Sequence, residues 1–190
     1  REVVRYFQDL SEYIDKPIMV YNWARGTNVE IKWDAAVELA KIKNLVAIKD
    51  STTDRLQMIE TVEHVGDKVR IFAPLVSRLG LAVIRGIGGD GNIDGGPTAA
   101  PFGSDFYDSV ARGDDERAKA VGDRYVAMMS KLSRPDWSSV YGTLQAQMKA
   151  CMNIMGQPGG YPRLPILPID DPENLAALRE ILTTAGLLEP

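Results

Sequence analysis

The stretch "NLVAIKDST", residues 44–52, decides the fold of this chain. Four apolar residues, Leu45 to Ile48, run without a break into Lys49, and three polar residues follow at once. A short, unbroken apolar run is typical of a strand that is buried on both faces, as in parallel sheets. The pattern therefore predicts a buried strand that carries a lysine at its carboxyl end.

Similar short runs recur along the chain, and amphipathic segments separate them. The runs that predict strands or strand ends are "PIMVYN" (17–22), "LVAIKD" (45–50), "VRIFAP" (69–74) and "GGDGNID" (88–94). Apolar residues at helical spacing fill the segments between them, 33–43, 53–65 and 77–87. Because strands that alternate with helices of this length build parallel sheets, the chain is predicted to be an α/β protein.

The second half of the chain predicts helices alone. They cover 100–113, 114–133, 138–156 and 171–188, and the expected C-terminal caps are Gly113, Gly156 and Gly186. The chain also opens on a helix with no strand before it. Because a (β/α)8 barrel typically needs about 250 residues, four predicted strands indicate either an open sheet or part of a barrel.

Composition limits the classes of partner. The 190 residues suffice for one domain with a real core, and the net charge of -4 offers no basic surface for nucleic acid or anionic lipid. No apolar run approaches the roughly 20 residues that cross a bilayer, and the N-terminus has no signal-peptide core. The single cysteine, Cys151, is typical of a reducing compartment. We therefore expect a cytoplasmic protein with a small-molecule or protein partner, and neither nucleic acid nor membrane binding.

Two residues at neighbouring strand ends suggest a chemistry. In parallel α/β folds the carboxyl ends of the strands carry the working residues, and Tyr21 and Lys49 end the first two predicted strands. A lysine in an apolar pocket can lose its proton and attack a carbonyl to form an imine, and a nearby tyrosine can relay protons. Taken alone, the pair is weak evidence, because a lysine at a strand end is more often solvated or ion-paired and a tyrosine there is more often an aromatic residue at the rim of the sheet.

Three ordered motifs resemble a known family. "PIMVYN", "NLVAIKDST" and "GGDGNID" resemble the fifth, sixth and eighth strands of the dihydrodipicolinate synthase and N-acetylneuraminate lyase superfamily, and "GGYPRLPILPI" (159–169) resembles its C-terminus. The resemblance implies a (β/α)8 barrel, of which 1–99 would be the second half. Residues 100–190 would then be the last barrel helix and a helical C-terminal extension. The N-terminal half-barrel of the family is missing from this chain.

The resemblance also assigns roles to individual residues. Lys49 would be the Schiff-base lysine and Tyr21 the catalytic tyrosine. Further substrate-binding positions would be Arg25, Ser51, Gly91 and Ile93. Arg25 stands one place earlier than the family's carboxylate-binding arginine, so a surface arginine is the alternative. Imine chemistry needs neither a metal nor a cofactor, and none is expected.

The activity implied is that of a class I lyase, an aldolase or dehydratase acting on pyruvate or a 2-oxo-3-deoxy sugar acid. The alternatives are a synthase-type condensation of pyruvate with an aldehyde, and a non-catalytic fragment that binds a 2-oxo acid or is purely structural. Asp50 favours the sugar-acid enzymes, because the amino-acid synthases usually have Glu after the lysine. Relatives are usually tetramers, so a homo-oligomer is expected.

Overall fold

The structure, a computed structural model, describes residues 1–93 and 95–189. Its strands are β1 (Ile18–Asn22), β2 (Leu45–Asp50) and β3 (Arg70–Phe72). Its helices are α1 (Glu2–Tyr13), α2 (Ala24–Thr27), α3 (Trp33–Leu39), α4 (Arg55–Val65), α5 (Arg78–Gly86), α6 (Gly96–Arg112), α7 (Asp115–Leu132), α8 (Leu144–Ile154) and α9 (Pro172–Thr184).

The described residues form two compact units. The first comprises Arg1–Leu75 and Leu79–Ile93, and it contains the whole sheet, α1 to α4 and most of α5. The second comprises Val76–Arg78 and the described residues from 95 on, with α6 to α9. The division into a barrel half, 1–99, and a helical part, 100–190, stays a prediction.

In the first unit, three parallel strands are ordered β1, β2, β3. On one face of this sheet Val20, Ile48 and Ile71 are buried almost completely. On the other face Met19 and Tyr21 are 50% and 44% exposed. On the same face of β2, Ala47 is 6% exposed and Lys49 is partly buried, so the predicted burial of the lysine-bearing strand on both faces holds at Ala47 and is incomplete at Lys49.

The fourth predicted strand, 88–94, is reduced to one parallel bridge between Phe72 and Gly91. Two backbone bonds flank the bridge, from Ala73 N to Gly91 O at 3.0 Å and from Asp90 N to Ile71 O at 2.9 Å. Just before them the chain bends through Gly88 and Gly89, with φ of 139° and 117° that side chains rarely tolerate. The last residue of the predicted strand, Asp94, lies outside the described residues.

The second unit follows the predicted helices with shifted ends. Helix α6 begins at Gly96, earlier than predicted, because Pro97 suits a first turn. Helix α8 begins only at Leu144, where the side chain of Thr143 caps it by accepting from Ala146 N. The three predicted cap glycines have positive φ angles, 77° at Gly113, 72° at Gly156 and 74° at Gly186. In the part of the chain that the structure describes, no helix combines the length and apolar content needed to span a membrane.

Candidate active site

Tyr21 and Lys49 are direct cross-strand neighbours at the carboxyl ends of β1 and β2. Paired residues of a parallel sheet point to the same face, and the Nζ atom of Lys49 lies 3.8 Å from the centroid of the Tyr21 ring. The structure thus brings together the two residues that the sequence singles out. Lys49 is only partly buried, so the enclosed apolar pocket expected from the sequence is not formed, because its sheet face is open.

The same rung of the sheet continues through Phe72 to Gly91. Phe72 pairs with Lys49, and the bridge joins Phe72 to Gly91. At about 4.8 Å per strand, Gly91 lies about 10 Å from Lys49 along the sheet. A Cβ atom on Gly91 would lie 2.9 Å from Cδ1 of Phe72, so glycine is needed for this ring to fit. Ile93, two residues further on, is 42% exposed.

Phe72 is a site neighbour that the sequence analysis missed. The predicted third strand ends at Ala73 and Pro74, whereas β3 ends at Phe72. A strand end can be found from sequence only to within a few residues, and one residue decides which side chain faces the site. The apolar residues up to Phe72 indicate a strand, but they do not show which residue of that strand pairs with Lys49.

A one-turn helix, α2, follows β1 directly and carries the predicted Arg25. The indole of Trp23 stacks on the Tyr21 ring, with centroids 5.8 Å apart and ring planes 5° from parallel. The guanidinium carbon of Arg25 lies 6.0 Å from the centroid of Trp23. Arg25 therefore adjoins the aromatic pair through Trp23.

Ser51 extends the pairing of β1 and β2 beyond the last residue of β2. Its backbone N–H donates to the carbonyl of Asn22 at 2.9 Å. The residue is partly buried and directly follows Asp50. Its position at the end of the strand agrees with the expected neighbourhood of Lys49.

Behind the open face, the next rung pairs Asn22 with Asp50, and each is only 2% exposed. Asn22 Nδ2 donates to Asp50 Oδ1 at 2.9 Å, and Thr52 N donates to the same oxygen at 3.1 Å. Asp50 Oδ2 has no hydrogen-bond partner among the residues that the structure describes. Burial raises the pKa of Asp50 from 3.8 to about 6, although the bonds from Thr52 and Asn22 act in the opposite direction.

This buried rung is also tied to the loop after β1. Asn22 Nδ2 donates to Ile31 O at 3.0 Å, and Ile31 N donates to Asn22 Oδ1 at 2.9 Å. The hydroxyl of Thr52 donates to Glu30 Oε1 at 2.6 Å. An Asp followed two residues later by Thr is typical of a turn in which the carboxylate accepts from the backbone, and this signal could have pointed to Asp50.

A cavity of about 440 Å³ lies elsewhere, between α1 and α3. It is lined by residues such as Arg5, Asp34 and Glu38, and by neither Lys49 nor Tyr21. Because it is open to solvent and none of the predicted site residues lines it, the rung of Tyr21 and Lys49 is the better candidate site.

Comparison with known proteins places this chain in a family. The model of the dihydrodipicolinate synthetase family matches residues 1–185. An uncharacterized DapA-like lyase of Rhizobium meliloti is 32% identical over 184 residues, which are 95% of this chain and 58% of that protein. A 4-hydroxy-tetrahydrodipicolinate synthase of Methanothrix thermoacetophila is 28% identical over 185 residues, 96% of this chain and 59% of that protein. The chain thus spans about three fifths of the length of these relatives.

Solved structures agree with the family match. The dihydrodipicolinate synthase of Thermotoga maritima has a TM-score of 0.81 at 25% identity, covering 97% of this chain and 61% of that one. A monomeric dihydrodipicolinate synthase variant also has a TM-score of 0.81 at 25% identity, with 97% and 60% coverage. Such neighbours are (β/α)8 barrels. The predicted fold class is confirmed, because the parallel strands and helices form part of such a barrel together with further helices.

Proposed function

Because the chain belongs to the dihydrodipicolinate synthetase family, we propose that it is the carboxyl-terminal part of a Schiff-base-forming lyase. In this proposal Lys49 attacks the ketone of pyruvate or of a 2-oxo-3-deoxy sugar acid. The observation that carries the proposal is the contact of Lys49 Nζ with the Tyr21 ring, 3.8 Å from its centroid, at the carboxyl ends of paired parallel strands. An amine nucleophile and a phenol that can move protons are the two groups that imine chemistry needs.

The proposed steps follow from the chemistry of the amine. The unprotonated Nζ of Lys49 adds to the ketone carbon, and the resulting carbinolamine loses water to give a protonated imine. The imine withdraws electrons from the neighbouring third carbon of the substrate. In aldol cleavage the fourth carbon leaves as an aldehyde and an enamine remains, which is protonated back to the imine. In dehydration the third carbon first loses a proton to give the enamine, which then expels the hydroxyl of the fourth carbon as water and leaves a conjugated imine. Tyr21 takes up and returns the protons that these steps release and consume. Hydrolysis of the imine then frees the product and restores the amine.

Substrate recognition is assigned to the groups around this pair. Arg25, at the start of the loop after β1, is proposed to bind the carboxylate of the 2-oxo acid, since a guanidinium matches a carboxylate in two hydrogen bonds. Backbone groups at Gly91 and Ile93, together with Ser51, are proposed to complete the polar contacts. The remainder of the barrel is proposed to cover the open sheet face, on which Tyr21 is 44% exposed.

Two alternatives share the same lysine. Condensation of pyruvate with an aldehyde is favoured by the relative named 4-hydroxy-tetrahydrodipicolinate synthase, whereas Asp50 after the lysine favours a sugar-acid aldolase or dehydratase. A non-catalytic 2-oxo acid-binding protein is favoured by the open face around Lys49, which this chain alone does not enclose. The expected homo-oligomer stays a prediction.

The test is covalent trapping. The chain is incubated with pyruvate and borohydride, its intact mass is measured, and the modified peptide is identified. A reduced pyruvate adduct on the peptide that contains Lys49 is expected, and lactate, which has no ketone, serves as the control ligand. An adduct on another lysine would contradict the proposal, as would no adduct even when the proposed remainder of the barrel is supplied.

A further inference from the structure

Asp50 is an unfavourable residue at its position. The side chain is 2% exposed, it bears a carboxylate, and one of its oxygens has no hydrogen-bond partner among the described residues. A buried carboxylate with an unsatisfied oxygen reduces stability compared with a neutral amide of the same shape. The residue therefore calls for an explanation beyond the stability of the fold.

The satisfied oxygen of Asp50 is the point at which two donors meet. Asn22 Nδ2 and Thr52 N both donate to Oδ1, at 2.9 Å and 3.1 Å. An ionised carboxylate only accepts hydrogen bonds, so it accommodates both donors without a competing N–H of its own. Asp50 thereby sets the orientation of Asn22 and the turn at Thr52 at once.

Asn22 and Thr52 also hold the loop 23–31 at its C-terminal end, residues 30 and 31. Asn22 exchanges two hydrogen bonds with the backbone of Ile31, and the Thr52 hydroxyl donates to Glu30. The first attachment therefore depends on the Asn22 side chain, which Asp50 orients, and the second on Thr52, whose backbone N–H Asp50 holds.

The loop itself is internally bonded. Asn28 N donates to Ala24 O at 2.7 Å, and the Thr27 hydroxyl donates to the carbonyls of Trp23 and Val29 at 3.1 Å and 3.0 Å. A loop with such bonds moves as one piece when its attachments move. The positions of Arg25 and Trp23 are then governed by how the loop is held at residues 30 and 31.

We propose that Asp50 is a positioning residue that, through Asn22 and Thr52, fixes the loop 23–31 and hence Arg25 and Trp23 relative to Lys49 and Tyr21. For catalysis the inference rests on the proposed function, in which Arg25 binds the carboxylate of a 2-oxo acid. Its structural part, that Asp50 fixes the loop, does not depend on that function. Loss of the Oδ1 acceptor leaves two buried donors unsatisfied, and the loop opens to satisfy them in water.

The experiment combines limited proteolysis with trapping. Trypsin cuts after Arg25 within the loop, and after the exposed Arg163, which lies far along the chain in the second unit and serves as the internal reference. In Asp50→Ala, we expect cleavage after Arg25 to accelerate about 10-fold relative to Arg163, because two buried donors lose their acceptor. Asp50→Asn keeps an acceptor oxygen and is expected to restore most of the protection.

The matched control is Asp54→Ala. The Asp54 side chain also accepts from two backbone N–H groups, those of Leu56 and Gln57 at the start of α4, and none of its described hydrogen bonds reaches the loop 23–31. The backbone N–H of Asp54, which donates to the Thr52 hydroxyl, is kept in Asp54→Ala. Its removal is expected to lower stability without exposing Arg25 preferentially. Equal acceleration after Arg25 in Asp50→Ala and Asp54→Ala would overturn the inference, and so would an Asp50→Asn variant as exposed as Asp50→Ala.

The trapping readout separates positioning from a general loss of structure. In Asp50→Ala the pyruvate concentration that gives half-maximal trapping is expected to rise about 10-fold, while the rate at saturation changes less. Absence of an adduct in the unsubstituted chain would count against the proposed function, and the cleavage ratio alone would then decide the inference. Should circular dichroism show that Asp50→Ala is unfolded, Asn22→Leu takes its place, because it removes the Nδ2 donors at similar size without placing a second carboxylate against Asp50, and the same preferential cleavage after Arg25 is expected.

Discussion

Two adjacent rungs of the same strand pair differ in almost every physical respect. The rung of Tyr21 and Lys49 lies on the open face, where Tyr21 is 44% exposed. The next rung, Asn22 and Asp50, lies on the opposite face, and each residue is 2% exposed. Successive side chains of a strand alternate between faces, so one step along the sequence separates a solvent-accessible amine from a buried carboxylate.

The difference shows how the strand divides its tasks. On the rung of Tyr21 and Lys49, hereafter the front rung, a cation over an exposed aromatic ring contributes about 0.5–1 kcal/mol to stability. These residues can therefore change with little effect on the fold. On the rung of Asn22 and Asp50, hereafter the back rung, hydrogen bonds hold the strand end and the following loop. Burial of the Asp50 carboxylate there lowers the stability of the fold. Front substitutions should therefore alter chemistry, and back substitutions should alter stability and loop position.

The largest effect is expected at the nucleophile. Lys49→Ala should abolish the reduced pyruvate adduct, because no amine remains at the rung, and the free energy of unfolding should change by less than about 1 kcal/mol. Intact mass after borohydride treatment and a urea titration measure the two quantities. Lys43→Ala, at an exposed position just before β2, is the control and should retain the adduct. An adduct that survives in Lys49→Ala would move the nucleophile elsewhere.

Tyr21→Phe tests the second member of the front rung. The ring that stacks on Trp23 is kept and the hydroxyl is lost, so imine trapping should persist while proton transfer slows by about 100-fold. Exchange of the methyl protons of pyruvate in deuterium oxide, followed by proton NMR, measures that transfer through the enamine. Tyr13→Phe, at a residue of α1 that is 86% exposed, is the control. Equal exchange rates in Tyr21→Phe and the unsubstituted chain would remove Tyr21 from proton transfer.

The front rung could be predicted from sequence, because two apolar runs end in Tyr21-Asn22 and Lys49-Asp50 and parallel strands end at the same edge. The same pattern implies the pairing of Asn22 with Asp50, which is the next pair in the register. It does not show the hydrogen bonds that tie this rung to Ile31 and Glu30, because those depend on the course of the loop after β1.

The other differences have similar causes. The run 88–94 has the strand motif, but its glycines allow a bend, and only Gly91 pairs. The open sheet face could not be predicted either. An unbroken apolar run indicates how a strand is buried in the complete barrel. It does not show which neighbouring elements this chain supplies. Trp23 and Phe72 lie beside Tyr21 and Lys49 because of where β1 and β3 end. The sequence does not locate a strand end to a single residue.

The back rung should show an unusual pH dependence. The pKa of Asp50 is raised by burial from 3.8 to about 6, so the folded state binds the proton more tightly than the unfolded state. The stability associated with this proton is full below pH 3.8 and is lost as the pH rises through about 6. Asp50→Asn should therefore be more stable than the unsubstituted chain at pH 8, by on the order of 3 kcal/mol, and equally stable near pH 3.5.

Urea titrations across that pH range measure the difference between the two proteins. Asp67→Asn is the control, because the pKa of Asp67 is lowered by its hydrogen bond with Lys68. This substitution should not stabilise the chain at high pH. If the free energies of unfolding of Asp50→Asn and the unsubstituted chain differed by the same amount at every pH, hydrogen bonding and not the buried charge would determine that difference.

The smallest effect is expected at Gly26, in the loop 23–31 that follows β1. A Cβ atom on Gly26 would lie 2.1 Å from Cε3 of Trp23, so Gly26→Ala must displace the indole from the Tyr21 ring. The strain should cost about 1 kcal/mol, and the near-ultraviolet circular dichroism of the stacked pair should weaken. Gly103→Ala in α6, where a Cβ atom meets nothing within 4 Å, is the control and should stabilise the chain by about 0.5–1 kcal/mol. If Gly26→Ala left the aromatic signal unchanged, the indole would not be held by the loop, and the back rung could not act on the front rung through Trp23.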